Sequence, residues 1–202
     1  MSSITPEILH ELTDVLRLRN GQSLTVRFVE PSDIGRLSDY FHAQSRRSSY
    51  NRFLGAMHEL PEREIATILA TGEANRFAVI GEVDVDGETR IVAEARYAYH
   101  LEDDTAEFGL SVADGWQGFG VGSALLKNLE CRTAALGATR LVGDTLRNND
   151  EMKGLARKLG YAFAHSPYGW ELVRVQKQIY AADDIPCVNW REIAPSLDMA
   201  AG

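Results

Sequence analysis

The sequence predicts an α/β (α+β) fold, a mixed sheet with helices on its faces. Three observations predict it. Short runs between residues 24 and 112, and again after residue 140, alternate apolar with polar side chains, the period of a half-buried strand. Longer runs, one opened by the segment 114–122 and reaching about Leu136 and one at 149–159, have helical length and end at Gly137 and Gly160. Read in order, the elements are β-α-α-β-β-β-α-β-α-β-β, without repeats or low-complexity segments.

The 202 residues suit one domain with short extensions. Residues 1–22 read as an N-terminal helical extension. Thr5-Pro6-Glu7 is a start signal, Ile8, Leu9, Leu12, Val15 and Leu16 share a face, and Asn20-Gly21 is a stop. This helix is expected to dock on the domain or on the second subunit of a homodimer. The main domain is expected over 23–176, opening with a strand from Leu24 to Val29. Glu30-Pro31-Ser32-Asp33 then turns the chain into a helix reaching about Gln44. Ser45 to Gly55 reads as a polar, basic loop with aromatic residues, in which Arg46, Arg47 and Arg52 are candidate contacts for an anion or an acceptor. A second helix is expected from Pro61 to Thr71-Gly72. Strands at 76–83, 91–99 and 106–112 follow, the first two joined by the hairpin signal Asp86-Gly87. After the helix that 114–122 opens and that runs to about Leu136 come a strand at 140–144, a helix at 149–159 and closing strands at 161–164 and 170–175. Residues 177–202 read as a loose tail.

Charge narrows the partners. With 29 acidic against 21 basic residues the net charge is −8, which disfavours nucleic acid and anionic membrane surfaces. An acidic surface suits a cationic substrate such as an amine. The two cysteines, Cys131 and Cys187, are expected to be free thiols, and no spacing of Cys and His suggests a metal site. A basic leader and a 20-residue apolar stretch are both missing, so a cytoplasmic location is expected.

The segment Gln117-Gly118-Phe119-Gly120-Val121-Gly122 lies between a strand and a helix. Glycines there permit positive φ and close approach of the backbone. The first turn of the helix offers N–H groups and the positive end of a dipole. Together these form a site for phosphate oxygens, to which Ser123 adds a hydroxyl. The spacing is not that of a dinucleotide fingerprint, and a Gly-Lys-Ser/Thr triplet is absent. A plain turn before a helix remains the alternative.

Gln-x-x-Gly-x-Gly opening a helix with Leu125 and Leu126, followed by Asn149 eleven residues before Gly160-Tyr161, resembles the signature of the GNAT acetyltransferases. The element order from Leu24 to Val175 resembles their fold, a mixed, mostly antiparallel sheet flanked by helices. Within the family the chain is similar to bacterial protein-lysine acetyltransferases of the Pat type. The segments that carry this are Ser45 to Phe53, Ala106-Glu107-Phe108, and Met152 with Leu155 to Gly160.

The resemblance implies an N-acetyltransferase that uses acetyl-CoA as co-substrate and no metal. Its acceptor would be a protein lysine, for instance on an acyl-CoA synthetase, or a small amine. A non-catalytic module that senses acetyl-CoA is the alternative from another class. By the same resemblance the pyrophosphate rests on Gly118, Phe119, Gly120, Val121, Gly122 and Ser123, with Gln117 at the mouth of the turn. The pantetheine arm lies along Leu110, Ser111 and Val112, where backbone amides polarise the thioester carbonyl. Asn149 is read as a helix cap by its place and as a cofactor contact by the resemblance. Glu107 matches the catalytic glutamate of Pat-type enzymes, and alternation puts it opposite Phe108, Leu110 and Val112. Ala156 stands where many family members carry a tyrosine acid.

Overall fold

The computed structural model describes residues 12–54, 62–71 and 73–179. Strands β1 (Asp14–Arg17) and β2 (Ser23–Phe28) pair antiparallel from Asp14↔Val26 to Arg17↔Ser23. This corrects the helix expected through residue 21. Leu12, Asp14 and Leu18 are buried while Val15 is 67% exposed, a period of two. Leu12 and Leu16 fit either period, and Asn20-Gly21 serves here as a hairpin turn. Gly21 has φ 86°, and its N–H donates to the Leu18 carbonyl at 3.1 Å. Thr5-Pro6-Glu7, Ile8 and Leu9 lie outside the described residues.

A 3-10 turn at Pro31–Asp33 leads into α1 (Ile34–His42). Arg27 of β2 anchors that entry, donating to both Asp33 oxygens at 2.7 Å and to Glu82 at 2.9 Å. Leu37, Tyr40 and Phe41 of α1 pack with Val29, Ala78 and Ile80, joined by Ile68 of helix α3 (Glu62–Leu69). Burying a side chain such as Leu37 stabilises by about 1.5–3 kcal/mol. The segment read as a basic loop is instead helix α2 (Arg46–Phe53). Ser45 caps it by accepting the Ser48 N–H at 3.2 Å. No apolar stripe announces this helix, because its burial is through Arg52 and Phe53 rather than through aliphatic residues.

Strand β3 (Arg76–Val85) pairs antiparallel with β2, and Asp86-Gly87, with φ of 54° and 82°, turns it into β4 (Glu88–His100). Then come β5 (Thr105–Val112), α4 (Val121–Ala135), β6 (Arg140–Leu146), α5 (Asp150–Lys158), β7 (Ala162–His165) and β8 (Leu172–Gln178). The strand order is β1-β2-β3-β4-β5-β6-β8-β7. β5 and β6 are parallel neighbours, as a helical crossover through α4 allows, while β8 runs antiparallel to both β6 and β7. β8 continues to Gln178, paired with Arg140, so the tail does not begin at residue 177 as expected. Asp183-Asp184 and the rest of the tail from residue 180 lie outside the described residues.

Two compact units divide the chain. One is built on the residues up to Arg96 with Leu110–Leu125, the other on Tyr97–Gly109 with the chain from Leu126 onward. Cys131 of α4 is buried and disulfide-bonded, which corrects the free thiol expected there; Cys187 lies outside the described residues. Among the described residues no helix is long and apolar enough to cross a membrane.

Candidate active site

The glycine turn belongs to the first unit. β5 ends at Val112, and a 3-10 turn at Asp114–Trp116 delivers the chain to Gln117. Gly118 and Gly120 then adopt φ of 82° and 95°, a region that disfavours side chains. A Cβ on Gly118 would meet open space, whereas one on Gly120 would come within 3.2 Å of the Arg19 stem. The Gly120 carbonyl accepts the Ala124 N–H at 2.9 Å, the first bond of α4, and buried Val121 fixes the helix start. The N–H groups of the first helical turn have no intrahelical acceptors. Main-chain N–H groups at such a helix start are chemically suited to anionic oxygens.

Side chains around the turn brace it. The Gln117 amide donates to the Val112 carbonyl at 3.1 Å and to Ser48 Oγ at 3.3 Å. Asp114 accepts the Ser45 N–H at 2.7 Å, Ser45 Oγ at 3.1 Å and Ser48 Oγ at 2.5 Å. Burial alone would raise the Asp114 pKa, but these donors from Ser48 and Ser45 hold it below the usual carboxylate range. Ser111 Oγ lies 2.8 Å from the hydroxyl of Tyr40, a phenol that burial keeps neutral, and 3.4 Å from the Gln44 amide. The Ser111 hydroxyl therefore faces the protein. Phe119 is 45% exposed with its ring 6.2 Å from Trp116, which is a packing role.

Arg52 is not a solvated loop cation. It donates to both oxygens of fully buried Glu94 at 2.9 Å, and Arg96 adds a third bond at 2.8 Å. Arg96 also reaches Glu64, and the two guanidinium carbons lie 5.4 and 5.9 Å from the Phe53 ring. Composition could not announce this cluster, since Arg52 and Glu94 are 42 positions apart. Arg46 remains exposed on α2.

Glu107 and Asn149 belong to the second unit. Glu107 is half-buried on β5, in register with Val142 of β6. The register between β5 and β6 covers three pairs, from Thr105↔Arg140 to Glu107↔Val142, while β5 runs on to Val112. On the opposite face of β5, Phe108 packs over Gly143, where a Cβ would fall 2.9 Å from its ring, and 6.2 Å from Tyr161. Asn149 caps α5. Its Oδ1 accepts the Met152 N–H at 3.1 Å and its Nδ2 donates to Thr145 at 3.0 Å. Both ends of that side chain are engaged within the fold. Ala156 is fully buried, so that position offers no proton donor.

Comparison with known proteins adds to this geometry. The model of the acetyltransferase (GNAT) family matches residues 39–161. An acetyltransferase of Pseudomonas aeruginosa is 25% identical over 150 residues, covering 74% of this chain and 81% of that protein. Among solved structures, the GNAT domain of S. lividans PAT superposes with TM-score 0.74 at 24% identity, over 83% of this chain and 97% of that one. The ribosomal-protein-S5-alanine acetyltransferase from Vibrio fischeri gives 0.62 at 16% identity, over 86% and 100%. A cAMP-binding acyltransferase from Mycobacterium smegmatis gives 0.59 at 19%, this chain spanning 63% of its length. These structural likenesses speak for the fold, and the family match spans more than half of the chain. The chain belongs to the GNAT acetyltransferase family, enzymes that transfer an acyl group from acyl-CoA to an amine.

Proposed function

We propose that this chain transfers the acetyl group of acetyl-CoA to a lysine of a cytoplasmic protein, with Glu107 as general base. The observation that supports it most is the braced glycine turn opening α4. Gly118 and Gly120 adopt positive φ, a backbone conformation suited to close approach of a ligand. Residues 118–123 would hold the pyrophosphate. Leu110, Ser111 and Val112 would pair through their main chain with the amides of the pantetheine arm, in the manner of an added strand. The choice of a protein lysine rests on the Pat-like segments at 45–53, 106–108 and 152–160, an acyl-CoA synthetase being the partner they suggest.

The chemistry follows from proton bookkeeping. A lysine ammonium titrates near 10.4, so at neutral pH it must give up a proton before it attacks. Glu107 takes that proton, directly or through one water, and its charge also attracts the ammonium. The amine nitrogen then bonds to the thioester carbonyl carbon while main-chain N–H groups of β5 stabilise the oxygen. The carbon–sulfur bond breaks as the nitrogen gives up its second proton to solvent, and solvent protonates the departing thiolate, since residue 156 is alanine.

Release of free CoA thiol against lysine peptides and small amines tests the reaction. Glu107→Gln should lower kcat by about 10²–10⁴-fold with acetyl-CoA affinity unchanged. A variant that keeps most of its activity, and the same acidic limb of its pH profile, would show that Glu107 is not the base.

A further inference from the structure

The β1–β2 hairpin sets a cation against the glycine turn, and both belong to the first unit. Leu18, just past β1, is buried and anchors the hairpin. Its N–H donates to the Gln22 carbonyl at 2.9 Å, and its carbonyl accepts the Gly21 N–H at 3.1 Å. Asn20 Oδ1 accepts the Gln22 N–H at 3.1 Å. Arg19 therefore leaves from a turn that is closed on both sides of it, and its side chain is exposed.

That side chain lies over the start of α4. A Cβ on Gly120 would fall 3.2 Å from Arg19 Cγ, 3.5 Å from Cδ and 3.7 Å from Nε. Gly120 is thus bare for two reasons, its φ of 95° and the stem that crosses it. The contact runs out along the stem to Nε, so the guanidinium sits beside the residue whose carbonyl accepts the first bond of α4. This is the end of the helix where the dipole is positive and N–H groups lack intrahelical acceptors.

Among the described residues the Arg19 guanidinium has no hydrogen bond or ion pair. Arg27 and Arg52, by contrast, each grip carboxylates within the fold. Asp114, the carboxylate of the 3-10 turn that leads into the glycines, is taken by Ser45 and Ser48. Two positive groups side by side repel each other, and an anion between them reverses the sign of the interaction. The guanidinium fork matches phosphate oxygens in particular. A local conflict of this kind is what a binding site holds before its ligand arrives.

We propose that Arg19 is a cofactor-binding residue whose guanidinium pairs with a pyrophosphate oxygen of CoA over the glycine turn. The inference rests on the reading of that turn as the pyrophosphate site. CoA also carries a 3′-phosphate on its ribose, but the Arg19 stem lies against Gly120 itself, inside the stretch read as holding the pyrophosphate.

Calorimetry on the full chain tests it, with CoA and with dephospho-CoA, which lacks the 3′-phosphate. Arg19→Gln should raise the Kd of both by about three- to thirty-fold, and Arg19→Lys should recover part of the loss. The salt dependence of CoA affinity should flatten in Arg19→Gln. The same change removes a like charge from the helix start. The ligand-free Tm should therefore hold within about 2 °C or rise, while the increase in Tm that CoA brings should shrink. Unchanged affinity for both ligands would overturn the proposal. So would a loss confined to CoA, which would put the guanidinium on the 3′-phosphate, or a lower ligand-free Tm with full affinity, the mark of a merely structural stem. A wild-type chain that binds neither ligand would instead overturn the reading of the turn itself.

Discussion

Glu94→Gln is the sharpest probe of how α2 is held on the sheet. Glu94 is fully buried and takes three donors, two from Arg52 and one from Arg96. With Glu64 on Arg96, the four side chains sum to zero charge. Gln keeps the shape but supplies one acceptor oxygen, and its NH2 group then faces an arginine that can only donate. The cluster is left with an uncompensated positive charge in a buried site, a loss of about 3–5 kcal/mol. For a chain of this size that lowers Tm by about 6–20 °C. The pH dependence has a definite sign. Burial raises the Glu94 pKa, but the Arg52 and Arg96 charges outweigh it and hold the carboxyl below its ordinary 4.5. A depressed carboxyl stabilises fully above its unfolded pKa and loses that contribution as pH falls through the folded value. The Tm gap between wild type and Glu94→Gln should thus be full at pH 7 and close in acid below about pH 4.5. Scanning calorimetry across that range measures it. A gap worth less than about 1 kcal/mol at pH 7, or one that widens in acid, would refute the reasoning.

Gly143→Ala should destabilise by about 1–3 kcal/mol, since its Cβ would meet the Phe108 ring at 2.9 Å and the Phe108 carbonyl oxygen at 3.0 Å. Urea unfolding would show it, with Phe108→Leu recovering part by freeing the ring contact. Asn149→Ala should cost about 0.5–2 kcal/mol by uncapping α5, with the acetyl-CoA KM essentially unchanged because both ends of the side chain already serve the fold. Thermal unfolding paired with a KM measurement separates the two.

Local chemistry made some of this legible. Asp86-Gly87 named its turn and Asn149 its cap, while Gly118 and Gly120 marked where the backbone must be bare, each through a preference acting within a few residues. What failed was ambiguous or nonlocal. Leu12 and Leu16 satisfy two periods, and only pairing with β2 selects the strand. Helix α2 has no apolar stripe; its cap is fastened by Asp114, 69 positions from Ser45, and its burial depends on Glu94. Glu107 stood out by its segment, but its place opposite Val142 comes only through strand register, which no window of sequence contains.

The parallel pairing of β5 with β6 also has a consequence during synthesis. Arg140 follows its partner Thr105 by 35 positions, so at about 5–20 residues per second β5 waits about 2–7 s for β6 to leave the ribosome. Throughout that interval one edge of β5 is open to strands of other nascent chains. Glu107 sits within the very stretch that β6 later covers, and a charge on an open edge discourages such pairing. The same carboxylate would then guard the strand before the fold is complete and serve the chemistry afterwards.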